Sequence, residues 1–96
     1  MHPDKVRRER LEALTALPNI GPAMAGDLRL LGFRKPQDLA GQDAFALYRR
    51  LCGLTGCRQD PCVLDTLLSA VDFIDGGDAR PWWHYTAGRK ARWPSL

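Results

Sequence analysis

Apolar positions recur along this chain at spacings of three and four residues, with glycine, proline or a capping polar residue between the runs. Over residues 4–16, Val6, Leu11 and Leu14, continued by Leu17, lie roughly along one stripe behind Asp4, a fitting N-cap, and predict a first helix. Leu17-Pro18-Asn19-Ile20-Gly21 then reads as a very short turn, because Asn and Gly are the residues that most readily take positive φ. Pro22 suits the first position of a second helix running to Leu31, with Met24, Ala25, Leu28 and Leu31 as its buried stripe. Gly32 is placed as its C-terminal cap and Phe33 packs back. Arg34 to Leu39 reads as a linker with a single helical turn beginning at Pro36. Asp43 caps a third main helix from Ala44 to about Leu54, with Phe45 or Ala44, Leu47, Tyr48, Leu51 and Cys52 inward and Arg49 and Arg50 outward. Gly53-Leu54-Thr55-Gly56 is the next candidate turn.

Asp60-Pro61 starts the last long helix, which runs to about Asp75 and is stopped by Gly76-Gly77. Val63, Leu64, Leu67, Leu68, Ala70, Val71, Phe73 and Ile74 make it apolar over most of its circumference, so it is expected to be the central core helix. Asp65, Asp72 and Asp75 share its polar side and are read as a solvated acidic face. No alternating pattern predicts a strand. The expected fold is all-α: a compact bundle of four to five short helices in one domain over residues 1–96.

The chemistry suggested by this pattern sits at the start of the second helix, where amides lacking carbonyl partners, aided by the helix dipole, form a seat for an anion such as phosphate. The formal charge of +3 is unevenly divided. Residues 1–35 carry +3, residues 36–78 carry −4, and residues 79–96 carry +4 with no acid at all. A polyanion is therefore expected at the two ends of the chain. No apolar run approaches the roughly 20 residues that span a bilayer, and the charged N-terminus has no apolar segment behind it, so a cytoplasmic location is expected.

Leu17-Pro18-Asn19-Ile20-Gly21, followed by Ala25, Leu28 and Gly32, resembles a helix-hairpin-helix motif. Together with Asp38-Leu39-Ala40-Gly41, Leu47-Tyr48, Asp60-Pro61-Cys62-Val63-Leu64-Asp65 and Arg80-Pro81-Trp82-Trp83-His84-Tyr85, it resembles the small bacterial pathogenicity-locus family, some of whose members are called mitomycin resistance proteins. The first part is also similar to the C-terminal domain of TfoX-like competence regulators. The resemblance implies a compact helical, DNA-associated domain. The preferred architecture is a tandem pair of helix-hairpin-helix units, the second, at Gly53-Leu54-Thr55-Gly56, degenerate. Many DNA-binding hairpins carry Gly-hydrophobic-Gly; here Asn19 stands at the first glycine.

The candidate DNA contacts are Asn19, Ile20, Gly21, Ala23, Arg29, Arg34 and Lys35 around the hairpin, and Arg89, Lys90 and Arg92 in the tail. Arg7, Arg8 and Arg10 are either a solvated helix face or further phosphate contacts. In the tail, residues 79–96, four of eight aromatics fall within twelve residues; Trp82 and Trp83 are expected to clamp it onto the core, Trp93 to be exposed, and His84 to be structural or interfacial. Cys52, Cys57 and Cys62 form a C-x4-C-x4-C series, odd in number and without a matching His, so ordinary buried thiols are expected rather than a metal site or a disulfide. Cys62, in a first helical turn, is expected to have a lowered pKa. No catalytic constellation and no cofactor motif is present. Two functions follow: a non-catalytic, sequence-independent duplex DNA-binding module, or a protein-interaction or self-association module without direct DNA contact.

Overall fold

The computed structural model describes residues 1–96 and contains no strand. Four α-helices carry the fold: α1 (Pro22–Leu30), α2 (Ala44–Thr55), α3 (Pro61–Ile74) and α4 (Thr86–Arg92), with 3-10 turns at Pro3–Lys5, Leu14–Ala16, Pro36–Leu39 and Trp82–Tyr85. The boundaries of the first three follow local chemistry. Pro22 opens α1, and Gly32 at φ +100° lets the Phe33 amide reach the Leu28 carbonyl at 2.9 Å, folding Phe33 into the core. Asp43 Oδ1 accepts from the amides of Phe45 and Ala46, and Asp60 Oδ1 from that of Cys62, which capture two free helix starts. The expected Gly53–Gly56 turn is displaced. α2 runs through Gly53, and the break comes at Gly56, the residue in the left-handed conformation.

α3 is the central helix, packed against α2, α4 and the turns at 36–39 and 82–85. Leu64, Leu67, Ala70, Val71 and Phe73 are buried, and so are Asp65, Thr66 and Ser69. The expected solvated acidic face forms only in part, since Asp72 and Asp75 are exposed and Asp65 is not. Asp65 is fully buried, Asp72 Oδ2 accepts a 2.6 Å bond from Tyr85 Oη, and Asp75 Oδ1 accepts the Gly41 amide at 2.9 Å. Each carboxylate fastens a different segment to α3, Asp65 from inside the fold and Asp72 and Asp75 from its surface.

The helix expected over residues 4–16 also does not form. The chain instead makes the two N-terminal 3-10 turns, joined through extended Val6 and Ala13, and His2 rather than Asp4 caps the first of them. The apolar stripe there is loose, since Val6 and Leu11 are five residues apart, well off a helical period. Long-range bonds outcompete it. Arg8 donates to the Phe73 carbonyl at 2.8 Å and the Gly77 carbonyl at 2.7 Å, with its guanidinium 4.1 Å from the Phe73 ring centre. Arg8 thus straps the segment across the end of α3. No helix is long and apolar enough to cross a membrane.

Candidate nucleic-acid interface

The turn preceding α1 follows the 3-10 turn Leu14–Ala16, so the first helix of the expected helix-hairpin-helix does not form; the turn itself is built from the inside. Leu17 and Ile20 are fully buried and pin the turn to the core, while Asn19 takes φ +65°, the one non-glycine residue of the chain in the left-handed region. Gly21, expected to share that role, is extended (φ −91°, ψ −175°) and serves as the N-cap of α1. Having no side chain, it leaves the start of the helix uncapped. The amides of Gly21, Ala23 and Met24 donate to no carbonyl or side chain, and Gly21, Pro22 and Ala23 are exposed. α2 and α3 differ, each having an aspartate at the equivalent position.

Two hairpin candidates are committed elsewhere. Asn19 Nδ2 donates both to Ser69 Oγ (2.9 Å) and to the Arg80 carbonyl (2.8 Å), and its amide donates to the Met1 carbonyl (2.7 Å). The Ile20 side chain lies in the core and its amide donates to the Leu17 carbonyl. Gly21 and Ala23 are the surface that remains. Arg29, Arg34 and Lys35 are exposed and take part in no ion pair. Asp38, their acidic neighbour, spends one oxygen on the backbone amides of Arg34 (3.0 Å) and Lys35 (3.2 Å), bonds that hold its carboxyl below the usual range. These cations sit at the far end of α1 from the free amides, roughly 14 Å away for a nine-residue helix. The geometry offers an amide seat at one end and positive charge at the other, not a single cluster.

The tail separates its three cations. Lys90 and Arg92 are exposed. Arg89 is buried, 8% exposed, and its Nε and Nη2 donate to the two oxygens of Asp65 at 3.0 and 3.2 Å, with Thr86 Oγ1 adding a 2.8 Å bond to Oδ2. Its bond to Asp65 raises the guanidinium pKa further. Arg89 is thereby removed from the cations a DNA backbone could meet. The aromatics are also exchanged relative to expectation. Trp93 stacks on Phe45 at 4.6 Å and 16°, with the Arg92 guanidinium 4.7 Å from its ring, whereas Trp83 is 62% exposed beside half-buried Trp82.

Residues 7–91 match the family described as Cdd1, pathogenicity locus. The chain belongs to that family. It is also similar to the mitomycin resistance protein McrB of Streptomyces lavendulae, 46% identical over 77 residues that cover 80% of this chain and 73% of that protein. No solved structure matches.

Among the thiols of this pathogenicity-locus protein, Cys57 is exposed, while Cys52 and Cys62 are half-buried; all three are free. Burial pushes the Cys62 thiol up, and Asp60 and Asp65 add to that, so the expected lowering by the helix start is reversed. No group of three or more His, Cys, Asp or Glu side chains is placed to hold a metal. Sequence reasoning missed the Asp65–Arg89 pair, the Asn19–Arg80 link and the Arg8 strap. Only the first left a signal: an aspartate inside Leu64-Asp65-Thr66-Leu67, on a helix apolar nearly all round, calls for a buried cation.

Proposed function

We propose that this protein is a non-catalytic, sequence-independent DNA-binding domain, consistent with the damage resistance named for its Streptomyces relative. The observation that carries the reading is the uncapped start of α1, whose exposed Gly21 and Ala23 amides form a phosphate seat with no competing carboxylate in the first turn. Arg29, Arg34 and Lys35 supply charge along the next stretch of backbone, and Lys90 and Arg92 a second basic surface. Contacts of this kind hold phosphates and carry no base information. Affinity is expected in the non-specific range, roughly 0.1 mM to 1 μM, falling steeply with salt. A salt-titrated mobility-shift assay on duplex and single-stranded DNA tests this, and no binding to either at about 50 mM salt would contradict it.

The alternative, a protein-interaction module, has no use of buried Asp65, while Asp72 and Asp75 stay exposed although each accepts a bond within the fold. It keeps Leu30 and Leu54, 53% and 55% exposed. Light scattering addresses its self-association form: a monomer at high concentration excludes that form.

A further inference from the structure

The Asn19 side chain, by donating to the Arg80 carbonyl, brings the hairpin against the turn carrying Trp82 and Trp83, residues more than sixty positions away in sequence. That turn packs on α3 through its inner side, where half-buried Tyr85 bonds Asp72. Trp83 stays outside. Its ring meets the Trp82 ring edge-on, at 5.6 Å and 82°, a contact that steadies the indole while leaving it largely open to solvent.

The 3-10 turn at 82–85 passes directly into α4, with Thr86 already in helical geometry. Trp83, Ala87 and Lys90 therefore follow one another at i, i+4 and i+7 on one face, and all three are exposed. The indole and the ammonium-bearing residue stand about 10 Å apart along the axis, with His84, Ala87 and Gly88 exposed between them. Arg80, which donates toward His84 at 2.8 Å, adds a cation on the N-terminal side. No acidic residue follows Asp78. Arg80 also lies 3.5 Å from exposed Asp78, so Lys90 is the unpaired cation of this stretch. An exposed aromatic plane with cations on either side is the combination that receives an unpaired base while its backbone runs along the charge.

We infer that Trp83, flanked by Arg80 and Lys90, is a stacking platform for an unpaired nucleobase, so that single-stranded DNA is this domain's preferred nucleic acid. The inference rests on the DNA-binding reading above and deepens it. The hairpin holds a phosphate, and Trp83, on the segment tied to that hairpin, takes a base of the same strand. Duplex DNA keeps its bases stacked and offers the indole nothing beyond backbone charge.

The test is fluorescence anisotropy of the full chain with labelled oligothymidylate and with a duplex of equal length, at about 50 mM salt. Wild-type protein is expected to bind oligothymidylate more tightly than duplex, with quenching of tryptophan emission. Trp83→Ala, at an exposed position that leaves the core intact, is expected to lose about 5- to 100-fold on oligothymidylate, the range of one base–aromatic stack, and less than about 2-fold on duplex. Trp83→Phe should recover most of the loss, and Lys90→Gln should lower the salt slope by about 0.7. Unchanged oligothymidylate affinity in Trp83→Ala, or a wild-type preference for duplex, overturns the inference and leaves the DNA-binding reading standing. A Trp83→Ala effect on self-association alone, seen by light scattering, overturns it in favour of a protein contact. Binding to neither DNA form overturns both readings.

Discussion

Asn19 is the left-handed residue of the turn before α1, and its surroundings explain what its side-chain amide does there. Asparagine tolerates φ +65°, and its side chain ties the turn to both Ser69 and Arg80. Asn19→Gly should relax the backbone yet lose both bonds, costing about 1–2 kcal/mol in urea denaturation. Asn19→Ala should cost about 1 kcal/mol more, because it adds left-handed strain. Asp65 is the more severe site. Asp65→Ala leaves Arg89 buried without its carboxylate and should destabilise by about 3–5 kcal/mol. The two tyrosines report on burial through pH. Burial pushes both Tyr48 and Tyr85 above the ordinary value, with Cys52 adding at Tyr48 and Asp72 at Tyr85. A phenol raised in the fold contributes stability that is complete below the unfolded pKa, near 10, and is lost as pH climbs past it. The ultraviolet absorbance of tyrosinate in the native chain should accordingly lag that of the urea-unfolded chain throughout the alkaline limb. A native tyrosine titrating near pH 10 would contradict this. Tyr85→Phe should remove part of the alkaline loss of stability.

Among the elements, α1, α2 and α3 begin and end within two residues of where the sequence puts them. Their signals are local: Pro22 and Gly32, Asp43, Asp60-Pro61 and Gly76 act on their own turns. The N-terminal segment was not legible in this way. Its conformation depends on Arg8 meeting carbonyls of residues 73 and 77, a contact that no window of ten residues contains. Arg8→Ala should cost about 1.5–3 kcal/mol, the worth of hydrogen bonds from a charged group. In hydrogen exchange, the amides of residues 14–20 should lose protection before those of α3. The Trp83–Trp93 exchange has the same origin. Which indole is covered depends on whether Phe45, on another helix, comes to meet it, and 4.6 Å stacking settles that for Trp93.

For the whole molecule, charge along the chain and charge in space differ. The middle segment totals −4, yet Asp43 and Asp60 cap helices, Asp38 caps a turn, Asp65 is buried, and Asp72 and Asp75 each receive a bond from another segment. Arg49, Arg50 and Arg58 of that same segment remain exposed. Arg50 reaches the Leu31 carbonyl at 3.1 Å, next to the end of α1 where Arg29 and Arg34 lie. On the proposed reading, this makes Arg50 part of the basic surface, a role its acidic sequence neighbourhood concealed. Arg34→Gln and Arg50→Gln should each reduce the slope of log K against log salt on duplex DNA by about 0.9. Arg34→Gln should leave the unfolding free energy within about 0.5 kcal/mol of wild type, and Arg50→Gln, which loses the bond to Leu31, should cost about 1.5–3 kcal/mol. The uncapped start of α1 was legible from Gly21-Pro22. The withdrawal of Asn19, Ile20 and Arg89 into the fold was not, because each is held by partners far along the chain. On the proposed reading DNA is held at the open start of α1, and an NMR titration of the labelled protein with short DNA is the direct test. The Gly21 and Ala23 amide resonances are expected to move in proportion to added DNA and to return when salt is raised; amides that stay fixed while Lys90 and its neighbours shift would contradict that reading.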